Sequence, residues 1–195
     1  MAGITPSQTV GPFFHYGLTP HDYDFAAVFG NNLVTPEASG ERIRIEGRVL
    51  DGDGTPINDC MVEIWQADAA GRYAHPADDR ALPNAAFKGF GRCDTDKKGG
   101  YSFDTIRPGA VPGPNGKAQA PHIAVVVFSR GMLRHVYTRI YFSDAADNGA
   151  DPILALVPAD RRATLIAKRA DRGGQATYTF DIRMQGDGET VFFDI

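Results

Sequence analysis

The sequence predicts an all-β chain: a β-sandwich of mostly antiparallel strands with an extended N-terminal arm and one or two short helices. Three observations predict it. Residues 42–50 alternate charged and β-branched side chains, the pattern of a strand with one wet and one dry face. Residues 121–128 form a Pro-bounded, β-branched apolar run, long enough for a strand and too short for a helix. Gly, Asp and Pro clusters, such as Asp51-Gly52-Asp53-Gly54 and Pro108-Gly109, punctuate the chain at short intervals.

The elements follow in order. Arg42 to Leu50 is the first strand, and Asp51-Gly52-Asp53-Gly54 turns the chain into a second from Met61 to Gln66. On that strand Trp65 and Glu63 share a face, so either a bulge intervenes or Glu63 faces a polar crevice. Gly99-Gly100 introduces Tyr101-Ser102-Phe103, and further strands are expected at 121–128, 135–142, 176–184 and 190–194. One helix is expected from Pro158-Ala159-Asp160, with Leu165 and Ile166 turned to the core and Lys168 and Arg169 near its C-terminal end.

With 195 residues the chain can bury one substantial core, and no segment reads as a linker. A single domain over 1–195 is expected, its first 40 residues (1–40) forming the arm and loops. A net charge of −4 without a basic block argues against nucleic acid as a partner. No apolar run approaches the ~20 residues that span a bilayer, and the first residues lack a signal-peptide pattern. The expectation is a cytoplasmic protein with no membrane partner, in which Cys60 and Cys93 are reduced structural residues.

The chemistry-bearing residues are marked by a deficit. His122 and Ala124 share one face of the 121–128 strand, where a His-x-His pair would aim two imidazoles at one point. Ala124 offers no donor. The loop Arg107-Pro108-Gly109-Ala110-Val111-Pro112 has the Pro and Gly spacing of an ordered loop carrying a functional side chain, yet Ala110 has no donor either. A lone Tyr and a lone His do not hold a transition metal tightly, because ligand number and geometry set affinity.

Nearly the whole chain resembles the intradiol ring-cleavage dioxygenases. The resemblance is carried by Thr5-Pro6-Ser7-Gln8-Thr9-Val10-Gly11-Pro12-Phe13-Phe14, Ile45-Glu46-Gly47-Arg48-Val49, Val62-Glu63-Ile64-Trp65-Gln66-Ala67, Gly71-Arg72-Tyr73, Gly100-Tyr101-Ser102-Phe103, Ile106-Arg107-Pro108-Gly109 and Pro121-His122-Ile123. In that family the catalytic chain holds Fe(III) with two tyrosines and two histidines. This sequence matches the first tyrosine at Tyr73 and the first histidine at His122; the other two positions fall on Ala110 and Ala124.

The resemblance therefore implies the non-metal-binding α subunit of a hetero-oligomer, with no catalytic residue of its own. Fe(III) would be held by the partner β subunit. The assembly would cleave 3,4-dihydroxybenzoate with dioxygen to 3-carboxy-cis,cis-muconate. It also implies substrate-binding roles for Thr9, Gly11 and Pro12 in the arm and for Arg130.

From the residues alone each of these keeps a blander reading. Phe13 and Phe14 must pack on something, either their own core or another chain. Arg130 is a solvated strand-end charge or a cation for a carboxylate. His122 is a satisfied core histidine or a ligand, His75 a loop hydrogen-bonding group, and Asp78-Asp79 and Asp94-Asp96 caps for backbone amides. Three further alternatives are an active catechol-type enzyme whose iron uses substitute ligands, a non-enzymatic, prealbumin-like binding module, suggested by the Asp-x-x-Gly-Gly-Tyr-Ser-Phe turn, and a lapsed site that binds an anion or ligand of its own as a regulatory pocket.

Overall fold

The computed structural model describes residues 9–82 and 85–194. The opening of the arm, Thr5 to Gln8, lies outside them. Eleven strands are present among the described residues: β1 (Arg42–Leu50), β2 (Met61–Trp65), β3 (Phe90–Asp94), β4 (Gly100–Ile106), β5 (Val111–Pro112), β6 (Ala118–Gln119), β7 (His122–Phe128), β8 (Val136–Phe142), β9 (Ile166–Arg172), β10 (Gln175–Thr179) and β11 (Ile182–Arg183). The one α-helix among them, α1 (Pro12–Leu18), interrupts the arm that the sequence suggested was extended. Pro12 stands in its first turn, where a missing N–H costs nothing.

The predominance of strands and of antiparallel pairings is as expected, but the architecture is a nearly closed mixed sheet rather than a simple antiparallel sandwich. Its order is β11-β1-β10-β9-β8-β7-β2-β3, with β4 bonded to the free side of β1 and lying beside β3, so that the sheet nearly closes. Three pairings are parallel: β1 with β10, β1 with β11, and β8 with β9. Strand β9 joins the two halves, antiparallel to β10 and parallel to β8.

That strand replaces the helix expected from residue 158. Residues 158–165 are turns ending in a short 3-10 segment, Arg162–Leu165, and Ile166 begins β9. Thr164 ties the segment down, its hydroxyl donating to the Arg161 carbonyl (2.8 Å) and accepting from the Val191 N–H (3.2 Å). Ladder bonds on both edges of β9 outweigh the helix propensity of Ala, Lys and Arg there. The strand expected at 176–184 breaks at Phe180-Asp181. Phe180 N–H bonds to the Glu46 carbonyl, and the Tyr101 hydroxyl donates to the Phe180 carbonyl at 2.6 Å. Of the strand expected at 190–194 only a bridge between Phe193 and Tyr137 forms.

The core fills the space between the halves. Ile43, Ile45, Val62, Ile64, Phe103, Ile123, Val125, Val127, Ile140 and Phe142 are all essentially fully buried. Each such side chain contributes about 1.5–3 kcal/mol of burial. On β7 the inward set is Ile123, Val125 and Val127, which leaves His122, Ala124, Val126 and Phe128 on the outer face. That outer face positions both candidate sites. The turns of residues 146–165 cover its start with a second cluster of Ala120, Tyr141, Leu154, Val157 and Leu165; the arm covers its end. No helix among the described residues is long and apolar enough to cross a membrane.

Candidate functional site

At the start of β7 a cavity of about 500 Å³ opens between Trp65, Tyr73, His122, Ala124, Tyr137 and Arg139. Register explains their meeting. Trp65 of β2 and Arg139 of β8 are the Cα partners of Ala124 on its two sides, so all three share one face and the small Ala124 leaves the space between them open.

Tyr73 arrives from a pinned loop. Asp68 accepts from the N–H groups of Ala70 (2.9 Å) and Arg72 (3.0 Å). Asp78 accepts from Tyr73 N–H (2.9 Å) and pairs with Arg80 at 2.8 Å, which holds the Asp78 carboxyl down to about 2. Gly71 has φ +73°, and a Cβ on it would fall 1.9 Å from the Ala110 carbonyl oxygen. Only glycine fits there, and the fit brings Ala110 against the Tyr73 loop. All four positions matched to the family's ligand set thus meet at one end of the sheet. Trp65 stacks on Tyr73 with the rings 5° from parallel and 6.1 Å apart.

His122 is 5% exposed, and its Nδ1 lies 2.8 Å from the Ala120 carbonyl. A carbonyl only accepts, so Nδ1 carries the proton and Nε2 is left with a lone pair. Burial, then the positive charge of Arg139, lowers its pKa to about 4, and the ring is neutral at pH 7. Burial likewise raises the Tyr73 phenol above its ordinary value, so it is not a phenolate. The four positions of the family's ligand set do not fit iron: Tyr73 Oη and His122 Nε2 are two donors, Ala110 and Ala124 add none, and Arg139 sets a positive charge directly across from Ala124.

The other sequence-expected residues gather about 20 Å away, at the far end of the seven-residue β7. Gly131 N–H donates to Thr9 Oγ1 (3.1 Å), and Phe14 packs on Phe128 with ring centroids 5.6 Å apart. Arg130, its side chain 71% exposed, pairs through Nε with Asp59 at 2.8 Å and does not line the Tyr73–His122 cavity. The two phenylalanines divide the expectations made for them: Phe14 covers its own domain, whereas Phe13 is 89% exposed.

Several bland readings hold. His75 Nδ1 accepts from Ala77 N–H, Asp96 caps the amides of Lys98 and Gly100, and both cysteines are free. Glu63 faces a polar crevice without a bulge, bonded to Arg92 Nε at 2.8 Å. Sequence reasoning missed Arg139. The alternation Tyr137-Arg139-Tyr141 carried a signal, but nothing local says that Arg139 faces Ala124.

This fold and this donor-poor cavity agree with what known proteins add. Residues 10–186 match the family model described as Dioxygenase, and the chain belongs to the intradiol ring-cleavage dioxygenases, a family whose chemistry uses iron. It is 48% identical over 197 residues to the protocatechuate 3,4-dioxygenase alpha chain of Burkholderia cepacia, covering 98% of this chain and 97% of that one. The protocatechuate 3,4-dioxygenase beta chain of the same organism is 38% identical over 180 residues, covering 89% and 75%. Among solved structures, an intradiol ring-cleavage dioxygenase from Tetranychus urticae shares the fold, with TM-score 0.65 over 97% of this chain and 100% of that one at 18% identity.

Proposed function

We propose that this chain is the alpha subunit of a hetero-oligomeric protocatechuate 3,4-dioxygenase, and that a beta subunit holds the Fe(III) at which 3,4-dihydroxybenzoate is cleaved between its hydroxyls by dioxygen. The observation that carries the reading is the pairing of near-full-length similarity to an alpha chain with two donors, Tyr73 and His122, at the four positions matched to the family's ligand set. In this reading Thr9, Gly11, Pro12 and Arg130 complete the wall of the partner's substrate pocket. Support comes from their closeness: Thr9 is hydrogen-bonded to the residue after Arg130, and a Cβ on Gly11 would meet nothing within 4 Å, which leaves that backbone open to a ligand. Among the described residues the Arg130 guanidinium pairs through Nε with Asp59, an arrangement that leaves its outer edge for a benzoate carboxylate. Phe13, Phe25 and Val28 are 89%, 65% and 83% exposed, apolar surface of the kind that another chain covers.

The test is expression of the chain with and without a beta chain, followed by metal analysis and dioxygen uptake on 3,4-dihydroxybenzoate. The chain alone is expected to be iron-free and inactive, and the co-purified complex to hold stoichiometric iron and turn over. Stoichiometric iron with a tyrosinate charge-transfer band in the chain alone would overturn the assignment.

A further inference from the structure

The backbone around Arg130 is held on both sides: Ser129 before it is buried, and the N–H of Gly131 after it donates to Thr9 Oγ1 at 3.1 Å. The freedom that remains is that of the long, largely exposed stem carrying the guanidinium. Asp59 limits that freedom. Met61 of β2 is the Cα partner of Phe128 of β7, and the same antiparallel register carried past the strand ends sets Asp59 opposite Arg130, where its Oδ2 pairs with Arg130 Nε at 2.8 Å.

The carboxylate stands on a fixed base. Ile57 N–H donates to the Val49 carbonyl (2.9 Å), Cys60 N–H to Thr95 Oγ1 (3.0 Å), and Thr95 N–H to the Cys60 carbonyl (2.9 Å), so the chain on both sides of Asp59 is tied to its neighbours. Asp59 Oδ1 is buried and, among the described residues, has no hydrogen-bond partner. Burial of an unmet carboxylate oxygen opposes folding, and an ion pair with so exposed a side chain returns little. Stability does not account for Asp59. We propose that Asp59 is a positioning residue for carboxylate recognition: it fixes the Nε edge of Arg130, so that the edge formed by the two Nη groups is the one set for a bidentate substrate carboxylate. The proposal rests on the reading above that Arg130 faces the partner's substrate. Part of the entropy of immobilising the arginine is thereby met before substrate arrives.

The test is steady-state dioxygen uptake on 3,4-dihydroxybenzoate by the complex of this chain with a beta chain. Asp59→Ala and the isosteric Asp59→Asn should each raise KM about 3- to 10-fold, with kcat and iron content unchanged. Asp59→Glu, which returns the charge one methylene further out, should recover part of the loss. In an Arg130→Ala background, Asp59→Ala should change KM by less than about twofold, since nothing is left to position. A fall in KM in Asp59→Asn would make Asp59 a counterion that weakens the pull of Arg130 on the substrate. Unchanged KM in Asp59→Ala and Asp59→Asn beside an impaired Arg130→Ala enzyme would remove Asp59 from recognition, and a full further loss in the Arg130→Ala background would place its effect elsewhere. Each of these overturns the proposal and leaves the role of Arg130 standing, whereas an unimpaired Arg130→Ala enzyme, or a chain that forms no active complex with a beta chain, overturns both.

Discussion

The two ends of β7 share one strand and one outer face, yet they are finished differently. At the His122 end the chain packs on itself: Gly71 lets Ala110 dock on the Tyr73 loop, Asp151 satisfies four donors, and residues of this chain line the cavity. At the Phe128 end, among the described residues, Arg130 is 71% exposed and pairs with Asp59, and Phe13 is 89% exposed. A site complete within one chain can lose its chemistry and keep its architecture, because packing still rewards the fold. An unfinished surface costs hydration free energy until something covers it. In the proposed assembly, the residues offered to the partner's substrate lie where this chain's own structure is least complete.

A left-handed glycine stands at each end, and the two differ in what surrounds them. Gly71 (φ +73°) has the Ala110 oxygen 1.9 Å from its would-be Cβ, whereas Gly131 (φ +77°) has nothing within 4 Å. Gly71→Ala should cost about 3–5 kcal/mol, strain plus a backbone clash, and lower Tm by roughly 10 °C. Gly131→Ala bears only the conformational penalty, about 1 kcal/mol. Thermal melts of the two variants decide it; equal losses would mean that the cavity end is no more self-contained than the other.

The same contrast separates what could be read from sequence and what could not. That His122 and Ala124 share a face follows from the two-residue period of any strand, and the donor deficit at Ala110 and Ala124 follows from residue type. The strands at 42–50, 61–65 and 122–128 were legible for the same local reason. Arg139 was not, because its place beside Ala124 depends on the register between β7 and β8, which no local pattern encodes. Strand β9 was hidden likewise: Ile166-Ala167-Lys168-Arg169-Ala170 favours helix locally, and only pairing with β8 and β10 makes it a strand. The arm was half legible, since apolar content says that Phe13 and Phe14 need cover and not that adjacent residues point to different partners.

A second variant asks whether the open end serves a carboxylate. In the complex with a beta chain, Arg130→Ala should lower kcat/KM for 3,4-dihydroxybenzoate about 30- to 100-fold, mostly through KM, with iron content unchanged. Arg130→Lys should recover part of the loss, since charge returns without the planar fork. Because Arg130 is largely exposed, its pair with Asp59 adds little to stability, and the variant's melting temperature should stay near that of the parent. Unchanged steady-state constants would remove Arg130 from the substrate pocket.

The smallest effect concerns Cys60, which is buried beneath the Phe128 end beside Ser129 and Asp59. Burial, with Asp59 adding to it, pushes the thiol from 9.0 up to about 11, the hydrogen bond with Ser129 only partly opposing them. The folded state therefore keeps its proton while the unfolded chain begins to release it near pH 9. Between pH 9 and 11 the unfolded state binds fewer protons, so stability falls as pH rises, by about 1 kcal/mol from pH 9 to 10 for this one group. Cys93, also raised to about 11, and the buried Tyr101 add to the same limb. Guanidinium melts at pH 7, 9 and 10 should show the decline, and Cys60→Ala, at some cost in packing at pH 7, should be shallower by about that 1 kcal/mol. An alkaline slope identical in Cys60→Ala would mean that the thiol ionises as freely in the fold as in the unfolded chain, and that this end of β7 is as open below its surface as it is on it.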